Sequence, residues 1–288
     1  MKFGTFYSSV GPFVDPDNLA HLATTAESAG FESMWSVEHV VIPVGYESTY
    51  PYDKSGRIPM PENVPLADPL MPFAYAAAVT KTIKFGSGVV ILPQHHPLYI
   101  AKQAATLDCL SKGRFLLGVG IGWLEEEFAA LDIPFSERVG RTEESIQAIR
   151  SLWKPEPEPF QGTYYNWDAV HSQPKPVQKG GVPIIVGGHV PGAARRAARF
   201  GDGFFPGSFD AESLAKVLAV MKDECGKIDR NPDEIEITAG VAGRSVDTIK
   251  RCEDMGVARV LMLDFPGGTR DEVTANLEAY ADEVIAKV

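Results

Sequence analysis

The stretch "VGGHVPGAARRAARFGDG", residues 186–203, ends an apolar run in two glycines and opens a helix pattern at Pro191. Glycines at such a junction leave backbone N–H groups open to a ligand, and the positive end of the following helix dipole favours a negative charge there. Gly187 and Gly188 are therefore candidates for holding a phosphate through the backbone. Arg195 and Arg199 fall on one side of the helix, where they either snorkel along the outer surface or pair with acids. A second glycine turn, "FGDGF" at 200–204, returns the chain to the same region, so two backbone turns would face one phosphate-bearing cofactor. His39 follows the apolar run "SMWSVE". Its imidazole titrates near neutrality and would either move a proton at the site or hold the following loop by a hydrogen bond.

Other residues compete for a role. Gly118, Gly120 and Gly122 in "GVGIGW" miss the GxGxxG dinucleotide pattern, and their alternation would make room for something flat, with Trp123 either walling a pocket or buried. His95 and His96 are adjacent, have no third ligand motif, and are expected to pack a loop ahead of Pro97 rather than bind a metal. "LEEEF" at 124–128 reads as a partly solvated helix face rather than a glycosidase pair, and "GSG" at 86–88 lacks the elbow of a serine hydrolase.

The elements that must position these residues alternate. Apolar runs at 2–8, 32–37, 84–92, 114–120, 183–187, 203–206, 234–240 and 258–264 are separated by helix patterns starting near Asp17, Asp68, Pro97, Trp123, Pro191, Asp210, Ser245 and Thr269. Eight βα units in succession predict an α/β fold, a (β/α)8 TIM barrel formed by a single domain over residues 1–288. Active sites of such barrels lie at the C-terminal ends of the strands, which is where His39, Trp123, Gly187 and Gly188 fall. Residues 39–67 form too long a connection for an ordinary βα loop and predict a lid, whose Tyr46, Tyr50 and Tyr52 would meet substrate or serve packing and dimer contacts. Residues 154–181, rich in proline around "GTYYNW", predict a small hairpin inserted before the fifth strand.

With 27 basic and 38 acidic residues the net charge is −11, which argues against nucleic acid or an anionic membrane as partner. Three cysteines without a CxxC pair suggest buried thiols in a reducing cytoplasm. No run approaches the ~20 apolar residues of a membrane span, and "MKFGTFYSSV" enters a strand without a signal-type core, so a soluble, unsecreted protein is expected.

Four blocks carry a family resemblance: "VEHV" after strand two, "FGSGVVILPQHHPLYIAKQAATLDCLSKGRFLLGVGIGW", "LEEEFAALDIPFSERVGRTEESIQAIRSLW" and "PIIVGGHVPGAARRAARFGDGFFP". Together they resemble the bacterial luciferase-like superfamily, and the chain length with the "YPYDKSG" loop resembles its actinobacterial members that use 8-hydroxy-5-deazaflavin, coenzyme F420. The resemblance implies a (β/α)8 barrel, commonly a homodimer, that binds F420 or, alternatively, FMN at the strand ends. Hydride then passes between that ring and a small organic substrate. Carried over residue by residue, it places Glu38 and His39 beside the ring, with His39 the catalytic proton donor or ring-orienting group. It also implies a non-prolyl cis peptide at Gly88–Val89 propping the ring, a phosphate held by Gly187, Gly188 and His189, and substrate beside Tyr46, Tyr50 and Trp123. Sugar-phosphate dehydrogenases of the family have a glutamate general acid where this chain has Trp123, and their tryptophan after the strand-two histidine is unmatched in "HVVIPV"; sugar-phosphate oxidation is not expected. An FMN-dependent monooxygenase and a non-catalytic flavin-binding protein are the other readings, and the long lid speaks against the latter.

Overall fold

The computed structural model describes Met1–Val288. Eight parallel strands close on themselves: β1 (Lys2–Thr5), β2 (Ser33–Ser36), β3 (Lys84–Ser87, resumed at Val90–Ile91), β4 (Phe115–Gly120), β5 (Ile184–Gly187), β6 (Gly203–Phe205), β7 (Glu236–Val241) and β8 (Val257–Met262). Each pairs with its neighbours in sequence, and β8 returns to β1 in the register Lys2↔Arg259 to Thr5↔Met262. The expected (β/α)8 barrel is therefore the fold.

Nine helices, not eight, surround it: α1 (Pro16–Ser28), α2 (Met71–Val79), α3 (Pro97–Ser111), α4 (Glu125–Ala130), α5 (Arg138–Trp153), α6 (Pro191–Phe200), α7 (Ala211–Lys227), α8 (Val246–Asp254) and α9 (Arg270–Glu283). The extra one arises in the fourth connection, where Asp132 adopts φ 56° and Pro134 follows, so one continuous helix cannot form. Asp210, Ser245 and Thr269 cap their helices as their residue types predict, whereas α1 is capped by Asp15 rather than Asp17. The two-residue strands Phe160–Gln161 and Asn166–Trp167 make the predicted hairpin, moored to α5 by Glu144, which accepts the N–H groups of Thr163, Tyr164 and Tyr165 at 2.7–2.8 Å.

Strand residues alternate between two cores, which is why the strands read as continuous apolar runs. Outward positions such as Phe85, Phe115 and Val260 join a cluster of 54 buried residues beneath the helices. Inward positions Phe6, Trp35, Leu116, Ile185, Phe205 and Leu261 fill the barrel. Gly86 makes room for the Trp35 indole, to which an added Cβ would approach within 2.5 Å. The N-terminal end of the barrel is closed by Arg259, 1 % exposed, which donates to Glu32 at 2.9 and 3.0 Å and to Glu236 at 2.5 Å. The opposite end is the mouth. No helix is long and apolar enough to cross a membrane.

Candidate active site

His39 leaves β2 at the mouth with its ring fixed by a carboxylate. Nδ1 lies 2.9 Å from Oε2 of Glu127, and since an ionised carboxylate only accepts, Nδ1 carries the proton and Nε2 is left for the mouth. Glu127 is fully buried, and its Oε1 accepts the N–H groups of Val40 at 2.6 Å and Val41 at 3.2 Å, the first residues of the long connection. Glu126 repeats the device further along, accepting from Glu47 at 2.7 Å and Ser48 at 3.0 Å. Of the three glutamates in "LEEEF" Glu125 is exposed, Glu126 intermediate and Glu127 buried, so the helix face is partly solvated as expected; what the sequence did not indicate is that its buried side ties the lid and the histidine together.

Glu38, expected beside a cofactor ring, has both oxygens engaged. Oε2 accepts the Ile91 N–H at 2.5 Å, and Oε1 accepts His95 Nε2 at 2.8 Å. The side chain is 2 % exposed and joins the end of β2 to the second half of β3. It braces these two strand ends, so no oxygen of its carboxylate is left without a partner. Burial opposes a charge on His95, but the hydrogen bond and charge of Glu38, with Asp68 and Glu127 behind it, hold its pKa above the ordinary 6.5. His96 caps α3 through the Leu98 N–H, so the two histidines share a loop as predicted, with His95 bonded to Glu38.

Between the halves of β3 the Gly88–Val89 peptide bond is cis, at the position the resemblance indicated. Val89 stands inside the barrel over a floor of glycines: an added Cβ would meet its methyl groups at 2.5 Å from Gly120 and 2.7 Å from Gly187. The glycine alternation in β4 thus makes room for Val89 and the Ser87 carbonyl rather than directly for a flat ligand. Val89 is in turn the surface that a flat ligand would meet.

The turn after β5 departs from the simplest expectation. Gly188, with φ +125°, does not offer a bare donor; its N–H donates to the Phe205 carbonyl at 3.0 Å and stitches β5 to β6. The free donors lie one step on. The N–H groups of His189, Val190 and Gly192 meet no acceptor in the protein, and no side chain caps α6. They form an exposed concavity at the positive end of a helix, the chemistry that a phosphate requires. Partial burial lowers the pKa of His189 below 6.5. The helix arginines do not reach it: Arg199 binds Glu224 at 2.5 Å and the buried Arg196 faces Glu143 at 3.5 Å.

The lid crosses the mouth as a line of rings. His39 meets Trp123 at 5.8 Å, Trp123 meets Tyr50 at 5.2 Å, Tyr50 meets Tyr52 at 5.5 Å and Tyr52 meets His189 at 4.7 Å, mostly edge to face. Tyr46 is displaced from its expected substrate role. It is 3 % exposed, accepts the Ile58 N–H on its hydroxyl at 3.1 Å and carries the Arg57 guanidinium on its ring, which makes it the lid's own core. Tyr7, which the sequence did not single out, ends β1 with φ 63° and packs on Phe6 at 4.7 Å. A non-glycine residue in that region costs about 1–2 kcal/mol, which the surrounding packing must offset.

The mouth offers what a planar ring carrying a phosphate would need: an apolar surface at Val89, open backbone N–H groups between His189 and Gly192, and His39 with Nε2 left free by its bond to Glu127. The chain matches the luciferase-like monooxygenase family model over residues 1–283. It is 35% identical over 277 residues to a Mycobacterium tuberculosis protein named only as uncharacterized, covering 93% of this chain and 94% of that one. Identity is 32% over 241 residues to the F420-dependent glucose-6-phosphate dehydrogenase of Nakamurella multipartita, covering 82% of this chain and 65% of that one. Among solved structures, the coenzyme F420 dependent tetrahydromethanopterin reductase of Methanopyrus kandleri superposes with a TM-score of 0.79 at 18% identity, covering 99% of each chain.

Proposed function

Because this chain belongs to the luciferase-like monooxygenase family, we propose that it is an oxidoreductase that holds the deazaflavin coenzyme F420 at its barrel mouth and reduces a small organic molecule. The observation that carries this reading is the placement of two complementary features on one mouth. The three unpaired N–H groups of His189, Val190 and Gly192 suit the cofactor phosphate, and the Glu127-held His39 offers Nε2 to whatever lies above the ring. The F420-dependent names among its relatives agree with that assignment.

When bound, the reduced deazaflavin supplies a hydride. The chain's own residues supply the rest. Glu127 fixes the orientation of His39 through Nδ1 and leaves Nε2 as the atom at which a proton would be passed to an oxygen on the substrate. Val89 would support the ring, and the lid from Val40 to Tyr52, secured by Glu126 and Glu127, would exclude water from it.

Equilibrium titration of the purified protein with oxidised coenzyme F420 and with FMN tests this. F420 is expected to bind at least about tenfold tighter than FMN, a difference of roughly 1.4 kcal/mol. Preference for FMN, with oxygen consumed when reduced FMN is supplied, would replace the proposal with a monooxygenase.

A further inference from the structure

The mouth carries a chemical bias beyond hydride transfer. Its upper wall is apolar, from Val37, Val89 and Leu263 above the inner core to the rings of Trp123 and Tyr50. Beside that wall stand Tyr7, packed on Phe6 at 4.7 Å, and Tyr50, packed on Trp123 at 5.2 Å, close enough for Tyr7 to act electrostatically on Tyr50, and neither phenolic hydroxyl has a hydrogen-bond partner in the protein. Tyr7 is carried in by its left-handed backbone at the end of β1, and Tyr50 by the lid. Burial keeps both phenols protonated, and Asp264 beside Tyr7 and Tyr7 itself beside Tyr50 reinforce this, so each hydroxyl is a donor.

The arginines nearest the lid and the last strand ends are already engaged. Arg57 is spent on the Tyr46 ring and carbonyl, and Arg244, which lines a cavity with Asp264 and Phe265, is matched there by Asp264 and lies 3.3 Å from Glu283. The carboxylates of Glu38 and Glu127 are meanwhile buried beneath the same mouth. An anion entering here would lose its hydration and gain no counter-ion other than the histidines.

We propose that the substrate is an uncharged, planar, carbonyl-bearing molecule of the quinone or cyclic enone class, whose carbonyl oxygen accepts hydrogen bonds from Tyr7 and Tyr50; this rests on the hydride-transfer reading above. Reduction of such a molecule adds a hydride to carbon, supplied by the reduced deazaflavin, and a proton to the oxygen or its conjugated carbon. The electron pair displaced from the double bond gathers on the oxygen, where two phenolic donors meet it and His39 Nε2 holds the proton. The product is the hydroquinone or the reduced ketone, and the deazaflavin is left oxidised.

The test uses three probes of one ring size in calorimetric titrations, with and without oxidised coenzyme F420: menadione, lawsone, which is the anionic quinone at neutral pH, and methylnaphthalene, which has no carbonyl. Menadione is expected to bind at least about tenfold tighter than lawsone, and the Tyr7→Phe/Tyr50→Phe double variant to lose about tenfold in menadione affinity while methylnaphthalene changes by less than about twofold. Equal or tighter binding of lawsone, no binding of menadione, or a parallel loss of both menadione and methylnaphthalene in the variant overturns the proposal. A failure of F420 to bind is read in its own titration and counts against the cofactor assignment, not against these probe rankings.

Discussion

Glu127 accepts the Nδ1 proton of His39 at 2.9 Å, across 88 residues of chain, and the same carboxylate holds the first two N–H groups of the lid. One buried side chain therefore sets both the tautomer of the imidazole and the anchorage of the cover above it. Partners of this kind orient a reactive histidine and change its basicity, so their loss is felt in turnover more than in binding.

Replacing Glu127 with glutamine should lower kcat about 10- to 100-fold while F420 affinity stays within about threefold. A role in tautomer control has a spectroscopic signature as well: the downfield Nδ1 proton of His39 in the nitrogen-edited NMR spectrum should vanish. A variant that keeps this resonance and loses only thermal stability would reduce Glu127 to a packing residue.

The Glu38–His95 pair should show itself as a pH dependence. His95 has its pKa raised above 6.5 in the folded protein, so its stabilising contribution is complete below 6.5 and fades as pH rises through the folded value. Wild type and His95→Gln should differ most in Tm on the acid side of 6.5 and converge at alkaline pH. A gap that widens with rising pH would contradict the pairing.

Val89 and its glycine floor predict a coupled pair of substitutions. Gly120→Ala places a Cβ 2.5 Å from a Val89 methyl and should cost about 1–3 kcal/mol in chemical denaturation through overpacking. Adding Val89→Ala should restore much of that loss. Additive losses would mean that the two side chains do not share one space.

Arg259 offers a control remote from the mouth. Arg259→Met leaves Glu32 with Lys84 and Glu236 with Lys2 as remaining partners and should destabilise the fold by about 1–3 kcal/mol. F420 affinity of the folded fraction should not change; a changed affinity would show that the two ends of the barrel are coupled.

The barrel was legible because each strand is a short apolar run bounded by turn chemistry, and because helix caps such as Asp210, Ser245 and Thr269 act locally. The approximate places of His39 and the post-β5 turn followed from strand ends, whereas the Gly88–Val89 cis peptide was indicated only by the family resemblance. What was hidden is relational. Nothing in "LEEEF" distinguishes Glu127 from Glu125 until a six-residue helix turns one inward and the other to solvent. The pairing of Glu38 with His95 was hidden because it depends on the break in β3, which brings the Ile91 N–H under the Glu38 carboxylate. Gly188 looked like a free donor because the pairing of its N–H with Phe205 is a contact between strands, which sequence spacing does not report.

The proposed cofactor, a deazaflavin, would sit with its phosphate on the open backbone of His189, Val190 and Gly192. The most direct test of this placement compares the affinity of the protein for coenzyme F420 with that for the same deazaflavin chromophore lacking the phosphate and everything beyond it. With backbone N–H groups bonding a charged phosphate, the truncated ligand should bind at least about tenfold more weakly. Equal affinity for the two would place the phosphate elsewhere and contradict the account.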